Sequence, residues 1–577
     1  MDKHSRFCTA LSTALFLSSS ATSTLAQTSA SIAIRHVQPY TYTIHRGGQL
    51  WVNYRFKATT PTTGNLKVFV HLRDANGIIV AQHDHWPKGI QTSQWLGDIS
   101  YEDDVWQLPS TLAAGRYTIV AGLYDTTNGA RQALSTQVFS DPNEPTYTSE
   151  HISNDKSYII GQVNIHEYTT PIYDANFTCN GTDVSSQLKA AISSLPNGSI
   201  LKLPFGKCIY GSDPNGGNLL RVDGKTNVQI VGMGAPSTIL ETSSPNNSAF
   251  VVANNSSNVS LRDFTIRINR SPSDSRSDDA NTSGFNISQA ANISIKQVRV
   301  EGPKGGGIHV YKTSTIEVSN SFVRGTLADG IHFTGMSTGI TARGNTVINS
   351  GDDGISSIGY YDGNFSGRNN TVLIEENRVI FPSVFHGSGI AVEGSNNVTI
   401  RKNYVQKSGS AGIRVASLDG IQPIFENNQW VNKPFRTDGV TNVVVHENNL
   451  QDVGVITTTG HPAILVYSNA LNMDAVDVYN NTVQYADQSY QSAVDTVRYW
   501  RDQSPSSGYW PIISDSYIYA NKSKNQIPNG RLAKKCINLV ANGLSQVHLN
   551  KSRGGVTAGN ANLFWETGLN SYSNCTP

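Results

Sequence analysis

The chain has few charged residues and almost no excess of either sign. Charged residues make up 15% of its 577 residues, and 44 Lys and Arg nearly balance 43 Asp and Glu, for a net charge of +1. Proteins that bind nucleic acid or an anionic membrane by bulk charge show a strong basic patch. We therefore expect neither nucleic acid nor a charged membrane surface among the partners.

Long apolar runs are missing everywhere except at the N-terminus. There the basic MDKHSR precedes the apolar FCTALSTALFL and a stretch of small residues. This pattern is typical of a secretory signal, with cleavage expected after Ala26. The sequence predicts a signal peptide over residues 1–26, a secreted product (extracellular or periplasmic) and no membrane span.

Cysteine is scarce, and CxxC and HExxH motifs are absent, so we expect no metal and no other cofactor. Cys8 leaves with the signal peptide, and an even set of four cysteines remains. In an oxidising compartment the favoured bridges join near neighbours, Cys179 with Cys208 and Cys536 with Cys575. Two other connectivities are possible, and four free buried thiols are the alternative.

The first part of the chain has the pattern of antiparallel strands. Val68, Val70 and Leu72 alternate with other side chains, and an Asp-Ala-Asn-Gly turn leads into the next apolar run. We predict an antiparallel β-sandwich over residues 28–142 and a linker over 143–172. The strands resemble the immunoglobulin-like accessory sandwich of bacterial glycan-handling proteins. Three strand histidines are expected to be ordinary side chains, with metal ligation as the alternative: His71, His83 and His85.

The later part of the chain opens with a helix and then repeats itself. Thr182 to Ile192 has the pattern of an amphipathic helix and is followed by PNGSILKLPFGKCIY. This combination resembles the opening of pectin-lyase-like β-helices, in which the helix covers the open end of the solenoid. The resemblance implies a right-handed parallel β-helix over residues 173–577, so that the whole protein is all-β.

A nine-residue template, N-apolar-x-apolar-x-x-N-x-V, carries the repeat. Its copies begin at residues 258, 292, 315, 339, 371, 397, 442 and 475. No helical period lies between copies, which excludes βαβ crossovers and favours coils of short parallel strands. Five asparagines share one turn position, where we expect a hydrogen-bonded ladder and a left-handed backbone: Asn345, Asn377, Asn403, Asn448 and Asn481.

Aligning the Gly-Ile pair of successive coils brings carboxylates together. The residues before the glycine are Gly306, Asp329, Asp353, Ser388 and Ala411. Asp329 and Asp353 should then stack about 5 Å apart, with Asp352 adjoining them. Carboxylates this close cannot all ionise normally, so they provide an acid beside a base, as glycosidic cleavage requires. The alternative is that the Asp-Gly pairs only shape two turns.

These coils resemble glycoside hydrolase family 28, the polygalacturonases. The matching segments are LADG (327–330), GDDG (351–354), HGSG (386–389) and IRVA (413–416). The resemblance implies that Asp352 is the general acid, that Asp329 and Asp353 activate water, and that the reaction inverts the anomeric carbon without a metal. It implies that His386 and Arg414 support the acid and bind substrate.

Three further residues are candidates for substrate contacts. His332 lies in the column of Arg414, and Tyr360 and Tyr361 lie in the loop GYYDGNFSGRN, where aromatic faces suit a sugar ring. The alternative is that all three are exposed side chains without a function.

The sequence also departs from the family 28 pattern. Leu327 and Ala328 replace an Asn-Thr pair, His386 lies two residues early, and Ala416 replaces a lysine that would pair with a uronate. In relying on an aspartate trio without that lysine, the chain resembles the β-helix hydrolases that cleave dextran and α-1,3-glucan. A neutral glycan is therefore a plausible substrate.

Together these features predict a secreted, monomeric glycoside hydrolase that binds and degrades a polysaccharide. Two alternatives remain open. One is a polysaccharide lyase acting on a uronate-containing glycan, and the other is a glycan-binding protein without catalytic activity.

Overall fold

The computed structural model describes the chain from residue 32 to residue 574 with gaps. The longer described stretches are 52–102, 106–136, 155–166, 172–211, 220–361 (except 236), 367–380, 387–454 (except 427 and 428) and 461–485. The predicted signal peptide, His386, Cys536 and Cys575 lie outside the described residues.

The N-terminal part is a β-sandwich of two sheets. Its strands, numbered along the chain, are β1 (Ile32–Pro39), β2 (Thr43–His45), β3 (Gln49–Leu50), β4 (Val52–Ala58), β5 (Leu66–Arg73), β6 (Ile79–Gln82), β7 (Gly97–Glu102), β8 (Trp106–Gln107), β9 (Gly115–Asp125), β10 (Arg131–Gln132), β11 (Ser135–Thr136) and β12 (Tyr158–His166). One sheet has the order β11-β1-β4-β7 and the other β2-β12-β9-β5-β6, while β3 pairs with β8. Tyr54 and Phe56 of the first sheet share a core with Val68 and Val70 of the second. The immunoglobulin-like topology of this sandwich stays a prediction.

The predicted linker over 143–172 is wrong for residues 158–166. These residues form β12, which lies inside the second sheet between β2 and β9. Tyr158 and Ile160 are buried, and so are Val163 and Ile165 after a shift of register between Ile159 and Gly161. The irregularity interrupts the alternation of period two, so the segment did not resemble a strand. The sandwich therefore extends beyond residue 142.

The second part is a solenoid of three sheets, in which each complete coil contributes at least one short strand to each sheet. Sheet I contains β13 (Ile172–Asp174), β15 (Ile200–Lys202), β18 (Thr226–Val231), β21 (Ser257–Arg262), β24 (Ala291–Lys296), β27 (Ser314–Ser319), β30 (Thr338–Arg343), β33 (Asn369–Glu375), β36 (Ser395–Arg401), β41 (Val440–His446), β44 (Met473–Tyr479), β47 (Ile513–Ser514), β48 (Ser516–Tyr519) and β51 (Val547–His548). Sheet II contains β14 (Cys179–Asp183), β16 (Gly206–Ile209), β19 (Thr238–Thr242), β22 (Thr265–Ile268), β25 (Arg299–Glu301), β28 (Phe322–Arg324), β31 (Thr346–Ile348), β34 (Arg378–Ile380), β37 (Tyr404–Gln406), β42 (Asn449–Gln451), β45 (Thr482–Tyr485), β49 (Lys522–Asn525) and β52 (Ser573–Asn574). Sheet III contains β17 (Leu220–Asp223), β20 (Phe250–Ala253), β23 (Phe285–Ser288), β26 (Ile308–Tyr311), β29 (Ile331–Thr334), β32 (Ile355–Ile358), β35 (Ile390–Glu393), β38 (Ile413–Ser417), β43 (Ile464–Ser468), β46 (Val497–Arg501) and β50 (Ile537–Val540).

The predicted template corresponds to a sheet I strand, a turn and the start of a sheet II strand. Its second, fourth and ninth positions point into the core, as Val259, Leu261 and Ile266 do. Neighbouring coils pair in parallel, for example Ile293 with Ile316, except that β52 pairs antiparallel with β49. The predicted fold class, an all-β parallel β-helix preceded by a sandwich, is confirmed. One antiparallel hairpin interrupts the coils, formed by β39 (Asp419–Glu426) and β40 (Gln429–Arg436).

A short helix covers the first coil. Helix α1 (Ser185–Ser194) buries Leu188 and Ile192 against the solenoid core, as the sequence predicts. It begins later than residue 182, because residues 179–183 form β14 and the Asp183 carboxylate accepts a hydrogen bond from the Ser185 amide. Cys179 and Cys208 form a disulfide on the neighbouring strands β14 and β16. Short 3-10 turns occur at Thr92–Gln94 and Ala280–Thr282, and among the described residues no helix has the length and apolarity to span a bilayer.

The asparagine ladder runs along the turn between sheets I and II. The Oδ1 atom of Asn403 accepts hydrogen bonds from the amide and side chain of Asn377, and the Nδ2 atom of Asn403 donates to Asn448 and Ile374. The ladder continues through Asn481 to Asn521, which the template did not include. The expected left-handed backbone does not occur at the ladder residues. It occurs one residue earlier, for example at Lys402 with φ 55°.

We expect Asn403→Ala to lower the free energy of unfolding by about 2–4 kcal/mol, because it leaves the buried amide of Asn377 without an acceptor. Urea denaturation of purified protein measures this change. Thr399→Ala, on the half-buried outer face of β36, is the matched control and should change stability by less than about 1 kcal/mol. Equal losses in both variants would show that the ladder does not stabilise the solenoid.

Candidate active site

Three columns of side chains on and beside sheet III build the site. The first column faces outward from successive strands and contains His309, His332, Ser356, Ala391 and Arg414. The second lies two residues later and contains Tyr311, Thr334, Ile358, Glu393 and Ala416. The third precedes the strands and contains Gly306, Asp329, Asp353, Ser388 and Ala411, in the register that the Gly-Ile alignment predicts.

Close packing against sheet II requires a glycine at the position that follows the third column. A Cβ atom on Gly330 would lie 2.4 Å from Val347 Cγ1, and one on Gly354 would lie 2.2 Å from Val379 Cγ1. Both distances are far below van der Waals contact, so these positions accept only glycine without a shift of the coil. The residue before each glycine is thereby held at the edge of the strand, where its side chain can point away from the core.

The structure brings the three predicted carboxylates together. One carboxylate oxygen from each of Asp329, Asp352 and Asp353 lies within 4.8 Å of the others. The side chains of Asp329 and Asp353 are 11% and 3% exposed, whereas that of Asp352 is 25% exposed. Asp352 is therefore the carboxylate that a ligand reaches most easily.

His332 and a serine hold Asp329. The Asp329 Oδ2 atom lies 2.6 Å from His332 Nδ1 and accepts a hydrogen bond of 2.6 Å from the Ser356 hydroxyl. Ser356 belongs to the same outward column as His332, one coil later. The sequence analysis assigned His332 to substrate binding, but its contact in the structure is with the carboxylate.

Arg414 joins two buried carboxylates. Its Nη2 atom lies 3.1 Å from Asp353 Oδ2 and 2.8 Å from Glu393 Oε1, and both acidic side chains are 3% exposed. The other Asp353 oxygen accepts a hydrogen bond from the Ser388 amide. Glu393 was missed by the sequence analysis. Glu393 could have been found from the sequence, because the same alignment of Gly-Ile pairs also brings the residues of the second column into register.

A second arginine reaches the trio from a distant loop. Arg276 lies between β22 and β23, and its Nη1 atom is 2.5 Å from Asp352 Oδ2 while its Nε is 2.7 Å from Asp278 Oδ1. The sequence analysis missed both residues. The long polar insertion SPSDSRSDDA between two short strands was the available signal.

The carboxylates have different affinities for protons. Partial burial and the charge of Asp329 raise the pKa of Asp352 against the opposing effect of Arg276. Burial raises the pKa of Asp353 well above its usual range, although Arg414 opposes it. For Asp329, burial is outweighed by His332 and Ser356, so its pKa is lowered. The cluster therefore combines one carboxylate whose pKa is lowered with two whose pKa is raised.

These side chains border a cleft of about 400 Å³. Its lining includes the segment 276–280, the side chains of Ile358, Tyr360 and Leu418, and His309, His332 and Arg414 of the first column. Tyr360 is 41% exposed and lines the cleft. Tyr361 does not line it. Its ring lies 5.1 Å from the guanidinium of Arg436, so the structure separates the two tyrosines that the sequence analysis grouped.

Among the described residues, the trio is the group whose spacing suits a metal ion. The guanidinium groups of Arg276 and Arg414 already face its oxygens, so a cation would have to compete with two fixed positive charges. The sandwich histidines His71, His83 and His85, for which metal ligation was the alternative, do not form such a group in the described part of the chain.

The sequence matches a family model described as a right handed beta helix region, over residues 248–430 and 329–497. No curated protein sequence matches the chain. Its structure is similar to that of DFA-IIIase from Arthrobacter chlorophenolicus A6 in complex with DFA-III, at 11% identity and a TM-score of 0.47, covering 69% of this chain and 99% of that chain. It is also similar to the catalytic unit of a thermostable GH87 alpha-1,3-glucanase from Streptomyces thermodiastaticus strain HF3-3, at 14% identity and a TM-score of 0.42, covering 94% and 98%. The family model and the three parallel sheets identify the solenoid as a right-handed parallel β-helix.

Proposed function

We propose that the protein is a secreted glycoside hydrolase that degrades a polysaccharide, with Asp329, Asp352 and Asp353 as its catalytic residues. The observation that carries the proposal is the meeting of three carboxylates with different proton affinities in one cleft. Glycosidic cleavage requires a protonated carboxyl group beside an ionised one. Membership of family 28 stays a prediction from the motifs.

Each carboxylate has a role that its surroundings favour. Asp352 is the most exposed and has a raised pKa, so it protonates the leaving oxygen. Asp329 stays ionised through His332 and Ser356 and, with Asp353, holds the attacking water. Arg414 fixes Asp353 and Glu393 in place. His386 keeps its predicted role in substrate binding.

The charge of the cleft favours a neutral substrate over a uronate. The described lining includes Asp278 and Asp279 besides the trio and Glu393, and it contains no lysine. Both lining arginines are already paired with carboxylates. Ala416, at the position of the family 28 lysine, is fully buried. A uronate carboxylate would therefore meet repulsion without a spare cation among the described lining residues.

Incubation with neutral and uronate polysaccharides tests the proposal. The panel contains dextran, α-1,3-glucan and polygalacturonate, and reducing ends are measured for wild type and Asp352→Asn. We expect reducing ends from a neutral glycan with wild type alone. Unsaturated products absorbing in the ultraviolet would instead establish a lyase, and equal glycan binding without cleavage by either protein would establish a binding protein.

The distance between the catalytic carboxyl groups bears on the stereochemistry of the products. Inverting enzymes usually place their two carboxyl groups about 6.5–9.5 Å apart and retaining enzymes about 5–5.5 Å apart. The trio is closer than the inverting range, so we propose inversion on the resemblance to family 28 alone. NMR of the first-formed anomer decides between the two outcomes.

We expect the activity to have a bell-shaped pH profile, and His332→Ala to move its acid limb to higher pH. Activity requires ionised Asp329, and loss of the His332 contact removes a group that lowers the pKa of Asp329. Activity also requires protonated Asp352, so the rate falls as pH rises through the pKa of that group. The profile of kcat/KM measures both limbs.

His446→Ala is the control for this profile, because His446 lies on sheet I and stacks on Tyr479 away from the cleft. An acid limb that stays in place in His332→Ala would exclude Asp329 as the ionised group.

A further inference from the structure

One end of the cleft has features that the catalytic trio does not use. One coil before the trio, the third column contains Gly306 and the first column contains His309, and both line the cleft together with Ser283. Strands in a sheet lie about 4.8 Å apart. This end of the cleft is therefore about one sugar ring away from Asp329 along the solenoid axis.

Gly306 differs from the glycines that the fold requires. A Cβ atom on the next residue, Gly307, would lie 2.4 Å from Val323 Cγ1, as at the equivalent positions of later coils. On Gly306 the nearest atoms would be the Asp329 carbonyl oxygen at 3.5 Å and Ser283 Oγ at 3.6 Å, which are ordinary contacts. Packing therefore does not demand a glycine here. Its effect is to leave open the position at which the next two coils carry Asp329 and Asp353.

Two residues that line this end of the cleft each carry a polar atom without a partner in the part of the chain that the structure describes. Ser283 is 1% exposed, and its Oγ atom has no hydrogen-bond partner among the described residues. The Nδ1 atom of His309 also lacks one, and the ring of His309 stacks on His332 at 5.3 Å between centroids. A buried polar group without a partner costs about 1–3 kcal/mol, so two such atoms on residues that line this end of the cleft favour a polar ligand there.

His309 is suited to a neutral ligand. Burial and the neighbouring His332 lower the pKa of His309 to about 3, so its imidazole is uncharged at neutral pH. A neutral imidazole and a serine hydroxyl can each donate or accept one hydrogen bond. That combination matches the hydroxyl groups of an uncharged sugar ring.

We propose that Ser283, Gly306 and His309 form a sugar-binding subsite that holds the residue of a neutral glycan next to the one cleaved at the trio. The sugar lies over Gly306, and its hydroxyl groups bond to Ser283 and His309. This subsite depends on the proposed hydrolase function. It also gives the bound glycan a direction, because the glycan then extends from the trio toward the N-terminal coils.

The test compares oligosaccharides of two to six units from the neutral glycan that wild type cleaves. Gly306→Leu fills the space, and His309→Phe keeps an aromatic ring against His332 while removing both nitrogens. In wild type, kcat/KM should rise when the substrate becomes long enough to occupy the subsite. We expect that rise to shrink about tenfold in both variants, as loss of one or two hydrogen bonds implies, and the main cleavage position to shift.

Several outcomes separate this proposal from the proposed function. A rise within twofold of wild type in His309→Phe and Ser283→Ala would overturn the subsite and leave the hydrolase intact, and these variants keep the test valid if Gly306→Leu does not fold. Absence of any length dependence in wild type would also overturn it. Absence of cleavage of every glycan by wild type would overturn both proposals. Glu317→Gln, on sheet I, is the control for folding and assay conditions.

Discussion

Asp352→Asn should lower kcat by about 10²–10⁴-fold, the range that a general acid contributes. Asparagine keeps the size of the side chain and one oxygen that can face Arg276, but it cannot transfer a proton to the leaving oxygen. Because Asp352 is the most exposed of the trio, its loss should leave the fold and glycan binding almost unchanged. Reducing-end assays measure kcat, and calorimetry with an oligosaccharide measures binding.

Two comparisons make this result interpretable. Glu317→Gln changes a carboxylate that pairs with Lys296 on sheet I and should keep wild-type activity. A substrate with a very good leaving group, such as a nitrophenyl glycoside, needs less protonation, so it should recover much of the lost rate in Asp352→Asn. If kcat stays within threefold of wild type on the natural glycan, Asp352 is not the acid.

The second large effect is on stability. Arg414→Met should lower the free energy of unfolding by about 3–5 kcal/mol at pH 8, the usual result of removing one partner from a buried ion pair. The substitution leaves Asp353 and Glu393, each 3% exposed, without their shared cation. Denaturant unfolding at several pH values measures the change.

This loss should depend on pH in a defined direction. Burial already raises the pKa of both Asp353 and Glu393, and the guanidinium opposes that shift. Without Arg414 both folded-state pKa values rise further above the unfolded values, so the variant is most stable at low pH and loses stability as pH rises through them. The deficit of Arg414→Met should therefore be small at pH 4 and grow toward pH 8.

Arg401→Met is the matched control. Arg401 is 39% exposed, and its partner Glu375 keeps a second ion pair with Arg343, so the expected loss is below about 1 kcal/mol. Adding Glu393→Gln to Arg414→Met should recover part of the stability, because one of the two unpaired charges disappears. A deficit that is independent of pH, or no recovery in the double variant, would show that packing and not charge explains the role of Arg414.

The sequence predicted the trio because its position depends on a local rule. Each coil repeats the Gly-Ile pair, and parallel pairing in register transfers that spacing into space, so Asp329 and Asp353 could be aligned without coordinates. Arg276 could not be found this way. Arg276 lies in a loop several coils before Asp352, and the repeat pattern does not predict the path by which that loop reaches the carboxylate.

Other differences have similarly physical causes. The strand at residues 158–166 was taken for a linker because a shift of register breaks its alternation. The left-handed residue of the turn was placed on the ladder asparagine, whereas the geometry puts it one position earlier and leaves the asparagine free to bond along the axis. The sequence patterns therefore predicted the positions of the repeat correctly. They were less successful in predicting the backbone conformation at each position.

The glycines packed against the valines of sheet II have an evolutionary consequence. They hold the coil together whatever residue precedes them, and neighbouring coils already carry aspartate, serine, alanine or glycine at that preceding position. Chemistry and folding are thereby assigned to adjacent but separate positions of the repeat. A solenoid of this kind can acquire, lose or relocate an active centre along its length by single substitutions, without redesigning the scaffold.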